Sequence, residues 1–173
     1  ISLSSGTFPS DLKIAIIKPL HKGGDLTNPS NYRPIALLPA VSKVLEKIMH
    51  DKMVSFLSYQ KCLSENQHGF ISKKSTTTAV FSTLEKIHQD MNEDHKVLAI
   101  FVDLSKAFDS INHDILLQKL YNYGIRGPVN DWVKSYLSNR EQIVEINNKS
   151  GKFRSPVRGI LKGVPQGSVL GPL

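Results

Sequence analysis

Hydrophobic positions recur every three or four residues in four stretches of this chain, and this spacing predicts four amphipathic helices. The first covers residues 42–57, and the second begins at an N-cap provided by Ser75 or Thr76. The third, ILLQKLYNYG, ends at Gly124, and the fourth begins at Pro128, since proline is favoured at a first helical position. We expect the apolar faces of the first two helices to pack on a core.

Other stretches have the patterns of β-strands. KIAIIK (13–18) is a short β-rich run that ends at Pro19, and YRPIALL (32–38) is its expected extended partner, because Arg33 precedes a proline. EQIVEIN and KFRSPV, joined by the turn-prone NKSG, predict a β-hairpin. KVLAIFV (96–102) is apolar at nearly every position, which is typical of a central strand covered on both faces. These elements predict a two-layer α+β protein with a Gly/Pro-rich terminal loop.

Composition narrows the class of protein. With 173 residues, 40% of them hydrophobic, the chain can bury a core as one large domain or two small lobes. The formal net charge of +7 favours phosphate-rich partners, although it is also compatible with plain solubility. The single cysteine, Cys62, excludes an internal disulfide and a Cys-based zinc site and fits a reducing compartment. Without a signal-peptide pattern or an apolar run of about 20 residues, we expect an intracellular protein that is neither secreted nor membrane-spanning.

The predicted central strand leads directly into Asp103, in the stretch FVDLSKAFDSINH. A carboxylate at the end of such a strand has a rigid support, which suits a hard divalent cation that binds oxygen ligands in fixed geometry. The alternative is that Asp103 caps the following turn through its own backbone. Further along, we interpret His113 as the neighbour of a helix cap.

Four segments carry a family resemblance: KPLHKGGD with NYRPIALLP, then QHGFISKKST, FVDLSKAFDSINH and GVPQGSVLGPL. In order and spacing they resemble the reverse transcriptase of non-LTR (LINE-type) retrotransposons, most of all jockey and CR1-like elements, over nearly the whole chain. The resemblance implies a right-hand polymerase fold, with residues 1–95 as a fingers-like region and 96–173 as a partial palm. It also implies an RNA-directed DNA polymerase that uses an RNA template, a DNA primer and dNTPs, acts in cytoplasm and nucleus, and belongs to a larger polyprotein.

The resemblance implies roles for the residues of FVDLSKAFD. Asp103 matches the first metal-binding aspartate and the backbone carbonyl of Leu104 a further ligand, for two Mg²⁺ ions, with Mn²⁺ as an alternative. Phe108 matches the residue that stacks under the sugar and excludes a 2′ hydroxyl, and its alternative role is that of an ordinary core phenylalanine. Asp109 belongs to the AFD signature, and we favour a supporting hydrogen-bonding role for it over metal binding.

Basic residues and the PQG loop complete the implied site. Lys22 and Arg33 match the residues of the fingers hairpin that contact the triphosphate, with Lys18 as the competitor of Lys22. Gln166 matches the residue beside the nascent base pair and sugar, and its flanking glycines would permit close backbone approach. Two further candidates, for contacts with the template backbone, are Lys73 and Lys74.

The chain departs from the family pattern in one respect. Polymerases of this kind carry a second aspartate pair, in a short Phe/Tyr-Ala-Asp-Asp strand after the PQG loop, whereas this chain has no Asp-Asp pair and its last aspartate is Asp131. We therefore expect a fragment, truncated before the second aspartate motif and the thumb, that is inactive alone. One alternative is a decayed or repurposed element remnant that binds nucleic acid without catalysis. Another is a phosphohydrolase, which would leave NYRPIALL and GVPQG without a role.

Overall fold

The computed structural model describes residues 1–148 and 151–173. Its mixed α/β fold combines one sheet with four helices, in agreement with the predicted α+β class. The strands are β1 (Ile14–His21), β2 (Tyr32–Leu37), β3 (Arg140–Asn148), β4 (Gly151–Arg154) and β5 (Arg158–Ile160). The helices are α1 (Ala40–Tyr59), α2 (Thr76–Asn92), α3 (His113–Asn122) and α4 (Pro128–Leu137).

The sheet is built around β1 and β3. β2 pairs antiparallel with β1, which confirms the predicted pairing of these two segments, and β3 lies parallel to β1 on the other side. β4 and β5 both pair antiparallel with β3, β5 with its first residues and β4 with its last. Side chains along a strand alternate between the two faces of the sheet. Ala15, Ile17 and Ala36 therefore lie on the same face, where all three are buried.

The local signals that predicted helix ends are confirmed. Ser75 caps α2 through a reciprocal capping box with Thr78, so that two otherwise unpaired groups at the helix start are satisfied. Gly124, with φ of +93°, follows the end of α3, and Pro128 occupies the first turn of α4.

A helical core brings the N-terminal segment together with α1, α3 and α4. Trp132 is completely buried, and its ring stacks on Tyr136 at a centroid distance of 5.7 Å. Phe8 packs edge-on against both rings, at 5.2 and 5.1 Å. α1 contributes the buried Met49, Met53 and Leu57.

The predicted central strand at 96–102 is wrong. These residues have no regular secondary structure, and Leu98, Phe101 and Val102 are 82–89% exposed. A continuous apolar run becomes a covered strand only where neighbouring elements lie on both of its sides. Within residues 1–148 and 151–173, no strand pairs with this segment.

The predicted packing of the second helix is also wrong, because no residue of α2 is buried. Its apolar stripe is instead largely solvent-exposed, for example at Val80, Phe81, Leu84 and Met91. On α1 the prediction holds for one side of the apolar stripe, while Val44 and Ile48 are exposed. Helical spacing identifies an apolar face but contains no information about what covers it.

The predicted hairpin is confirmed as the pairing of β3 with β4. Two residues of its predicted turn NKSG, Lys149 and Ser150, lie outside the described residues. The strand predicted for KFRSPV ends at Arg154, and the sequence reasoning missed β5, which is only three residues long. Of the helices that the structure describes, none is both long and apolar enough to cross a bilayer.

Candidate functional site

Two of the segments singled out in the sequence, AFD and GVPQG, lie against each other. The AFD residues form a 3₁₀ turn, Ala107–Asp109. The backbone N–H of Val164 donates a hydrogen bond to the carbonyl of Phe108 at 2.8 Å. The side-chain amide of Gln166 donates to the Asp109 carboxylate at 3.1 Å, across 57 positions of sequence. Asp109 therefore holds the amide of Gln166 in a defined orientation.

Close contact between these segments depends on Gly163. Its φ is +83°, and a Cβ atom there would lie 2.8 Å from backbone atoms of both Phe108 and Asp109. Any side chain would push the loop away from the turn, so only glycine allows this approach. At the other end of PQG, a Cβ on Gly167 would lie 3.1 Å from the carbonyl oxygen of Ala36.

Three further hydrogen bonds attach the loop, one of them from the backbone N–H of Gly163 to the carbonyl of Ile111 at 2.7 Å. The backbone N–H of Ala36 on β2 donates to the carbonyl of Gln166 at 2.8 Å. Nε2 of His113, the first residue of α3, lies 2.7 Å from the carbonyl of Gly163 and must donate to it, since a carbonyl oxygen only accepts. The sequence reasoning missed this contact of His113, and only the short distance in sequence from AFD could have drawn attention to it.

A groove of about 500 Å³ opens between the loop and the sheet. Its floor consists of Ala15, Ile17, Ala36 and Val144, which are apolar. Four of its side chains can form hydrogen bonds, namely Asp109, Gln142, Lys162 and Gln166. A ligand with a flat apolar part and a few polar atoms suits such a groove.

The groove does not gather all the predicted site residues. Pro34 and Ala36 line it, so Arg33, which precedes Pro34 on β2, points to the opposite face of the sheet. The side chain of Arg33 is exposed there. Lys22 is also exposed, and its backbone N–H closes the turn after β1 by donating to the carbonyl of Asn31 at 2.9 Å.

Asp103 and Leu104 are exposed in the segment before the AFD turn. The only group of three or more candidate metal ligands among residues 1–148 and 151–173 is Asp90, Glu93 and His95 at the end of α2, which is not part of the predicted site. One carboxylate does not complete an octahedral Mg²⁺ site. The described residues therefore do not by themselves form the two-metal site that the resemblance implied.

Phe108 is half-buried, and its ring meets the edge of Phe70 at a centroid distance of 6.4 Å. Lys73 is exposed, with a left-handed backbone. Lys74 donates a hydrogen bond to the backbone carbonyl of Glu65, which braces this loop.

Lys18, the competitor of Lys22, belongs to an ion cluster on the sheet. Glu145 on β3 is only 3% exposed and is contacted by Lys18 at 2.6 Å, Arg154 at 2.7 Å and Lys152 at 3.1 Å. Hydrogen bonds from Lys18 first, and then from Arg154, hold the pKa of Glu145 at about 2. Lys18 therefore forms an ion pair with Glu145, whereas Lys22 is not part of this cluster.

Comparison with known proteins adds independent information. The family described as reverse transcriptase (RNA-dependent DNA polymerase) matches residues 20–173. The chain is 35% identical over 167 residues to the probable RNA-directed DNA polymerases from transposon BS and from transposon X-element of Drosophila melanogaster, covering 96% of the chain and 18% of each relative. It is 30% identical over 171 residues to the RNA-directed DNA polymerase from mobile element jockey of the same organism, covering 98% of the chain and 18% of that protein. The chain thus spans less than a fifth of the length of these relatives.

Proposed function

Because this chain belongs to the reverse transcriptase (RNA-dependent DNA polymerase) family, we propose that it provides the fingers (1–95) and part of the palm (96–173) of an RNA-directed DNA polymerase from a non-LTR retrotransposon. The observation that supports this most directly is the hydrogen bond between Gln166 and Asp109, which joins AFD to PQG beside the groove. The reaction is the addition of a dNTP to a DNA primer on an RNA template. It takes place in the cytoplasm and nucleus, within a longer polypeptide.

Phe108 and Gln166 contact the incoming nucleotide in this proposal. The ring of Phe108 presents a flat apolar surface on which a 2′ hydroxyl would be both crowded and without a hydrogen-bond partner. Gln166 lies beside the base pair and sugar, with its amide oriented by Asp109 at 3.1 Å. Asp109 consequently acts through Gln166 rather than on a metal ion.

The family implies dependence on a divalent metal. We propose Mg²⁺, with Mn²⁺ as an alternative, and Asp103 together with the Leu104 carbonyl as the ligands from this chain. Bound metal would stabilise the negative charge that develops at the phosphates. The remaining ligands, in a second aspartate motif, and the thumb lie elsewhere in the longer polypeptide, so this chain alone is expected to be inactive.

We assign the basic residues to contacts with the phosphates of the nucleotide and of the template. Lys22 and Arg33 are exposed on the β1–β2 hairpin, and we assign both to the triphosphate, which has to extend past the edge of the sheet to reach Arg33 on the face opposite the groove. Lys73 is available for the template backbone, while Lys74 supports its loop through Glu65.

The test is Asp103→Asn in the longest polypeptide encoded by the source gene that contains this chain. We expect primer extension on an RNA template to fall by about three orders of magnitude or more, because a metal ligand loses its charge. Asp94→Asn is the matched control, since Asp94 is exposed and its φ of +56° suits asparagine equally well.

Near-normal extension by Asp103→Asn would refute the assignment of Asp103. The codons next to this segment provide a second test. An open frame that continues into a second aspartate motif supports the polymerase, and an early stop codon supports the element remnant.

A further inference from the structure

Glu46 on α1 is a fully buried carboxylate with three hydrogen-bond donors around it. Its exposed fraction is 0%. Oε1 accepts from the Ser42 hydroxyl at 2.7 Å, while Oε2 accepts from the backbone N–H of Val169 at 2.8 Å and of Leu170 at 3.4 Å. Burial of a carboxylate is costly unless several donors replace the lost water. These donors come from a loop near the opposite end of the chain, which links α1 to the segment that follows PQG.

A buried cation nearby offsets the charge of Glu46. Arg140 is 1% exposed, donates to the carbonyl of Tyr136 at 3.1 Å and lies 4.8 Å from the centre of its ring. Burial lowers the pKa of Arg140, and the negative charge of Glu46 acts against this shift. Burial also raises the pKa of Tyr136, so its hydroxyl stays neutral between the two charges. Glu46, Tyr136 and Arg140 therefore share one buried interior.

The contact with Glu46 adds an attachment on the far side of the PQG loop. The AFD turn holds Val164 and β2 holds Gln166, each through a 2.8 Å backbone hydrogen bond. Beyond Gln166, Ser168 forms hydrogen bonds within the loop, to Pro165 and Gly171. Glu46 thus fixes the far side of the loop to a helix of the core.

We propose that Glu46 is a positioning residue that fixes the loop after PQG and thereby sets the position of Gln166 in the groove. The effect of Glu46 on nucleotide binding through Gln166 rests on the function proposed above, whereas the attachment of the loop by Glu46 does not. A helix of the fingers-like region would in this way determine the geometry of a nucleotide contact in the partial palm.

The first experiment measures amide hydrogen exchange at Val169 and Leu170 in this 173-residue chain. Glu46→Ala should accelerate exchange at both amides by about ten- to a hundredfold, because charge-assisted hydrogen bonds are lost. Glu46→Gln should stay close to wild type, since its amide oxygen can accept from the loop and its NH₂ can donate to Ser42. Unchanged exchange in Glu46→Ala would overturn the proposal.

Ser42→Ala is the matched control, because Ser42 is equally buried on the same helix and contacts the other carboxylate oxygen. Exchange at Val169 and Leu170 should accelerate far less in Ser42→Ala than in Glu46→Ala. Equal acceleration would mean that any loosening of α1 frees the loop, and the proposal would fail. If Glu46→Ala does not fold, Glu46→Asp tests the same contact by withdrawing the carboxylate by one methylene, and unchanged exchange there counts against the proposal.

The second experiment uses single-nucleotide incorporation by the longer polypeptide. Glu46→Ala should raise the KM for dNTP by about tenfold, with a smaller change in kcat, and Glu46→Gln should restore it. In a Gln166→Ala background the effect of Glu46→Ala should disappear, because Glu46 acts through Gln166. Equal effects in both backgrounds would overturn the positioning role. A wild-type polypeptide without polymerase activity would instead refute the proposed function, and amide exchange would still decide whether Glu46 holds the loop.

Discussion

Gly163 determines whether the AFD turn and the PQG loop can meet. A Cβ atom at this position would lie only 2.8 Å from the backbone of Phe108 and Asp109, which is too close for any residue larger than glycine. The polar contact between Gln166 and Asp109 depends on this approach. A single steric requirement thus brings together two side chains to which the family resemblance assigns different roles.

Phe108 provides a prediction about substrate choice. Replacing Phe108 with Val or Ala in the longer polypeptide should raise incorporation of NTP relative to dNTP by about tenfold or more, because the wall against a 2′ hydroxyl is removed. The measurement is kcat/KM for matched dNTP and NTP in single-nucleotide incorporation. Phe81→Ala on α2, an exposed phenylalanine outside the AFD and PQG segments, is the control. An unchanged preference in the Phe108 variants would contradict the role.

Single-residue expectations succeeded where the requirement was local. Close backbone approach at the glycines beside PQG followed from residue type, and the structure has it at Gly163. The sequence could not identify Asp109 as the partner of Gln166, because the pairing spans 57 positions and depends on the whole fold. His113 was missed for the same reason.

Glu145 joins three strands, since its cationic partners lie on β1 and β4. Its folded pKa of about 2 is below the usual 4.5, so the pairing stabilises the fold above about pH 4.5 and this stability is lost as the pH falls toward 2. We predict that Glu145→Gln lowers the free energy of unfolding at pH 7 and removes this part of the acid dependence. Urea unfolding between pH 2 and 7 measures both.

The control for Glu145 is Glu141→Gln, four residues earlier on the same strand and exposed. It should keep the acid dependence of the wild type. If Glu145→Gln loses stability between pH 4.5 and 2 as steeply as the wild type, then the ion cluster does not couple the strands.

Helices were predictable as elements because their signals are local. The Ser75 cap, the stop at Gly124 and the start at Pro128 each involve only a few neighbouring residues. Burial was not predictable in the same way, as α2 and the segment 96–102 demonstrate. An apolar pattern specifies a face that gains from being covered, and only the complete set of neighbours determines whether it is.

The net charge of +7 leads to a prediction for the molecule as a whole. We expect weak binding of single-stranded RNA that decreases steeply with salt. Four phosphate contacts would reduce the association constant roughly fiftyfold between 50 and 200 mM salt. Fluorescence anisotropy with a labelled oligonucleotide measures this, and affinity that is independent of salt would contradict it.

A pair of double variants separates local contacts from total charge. Lys22→Gln with Arg33→Gln should flatten the salt dependence, by about 1.4 in logarithmic slope, if both residues contact phosphates. Lys47→Gln with Lys86→Gln changes the net charge equally but removes lysines that are paired on α1 and α2 with Asp51 and Asp90. Equal slopes for the two double variants would mean that Lys22 and Arg33 have no specific role.

The family could be identified from four ordered motifs, and the family comparison confirms it over residues 20–173. The complete catalytic arrangement could not be predicted from these motifs. In the structure Asp103 is exposed, and Arg33 points away from the groove that contains Gln166. Motifs record which residues a family uses, whereas their assembly depends on contacts between distant parts of a polypeptide.

The hydrogen bond from Val169 to Glu46 spans 123 positions, which has a consequence for synthesis on the ribosome. At about 5–20 residues per second, roughly 6–25 s pass between the two ends of this contact. During that interval α1 can form, but its acidic side chain remains hydrated and the core around it stays open. Val169 and Leu170, translated well after α1, would therefore close the core around a helix that had already formed.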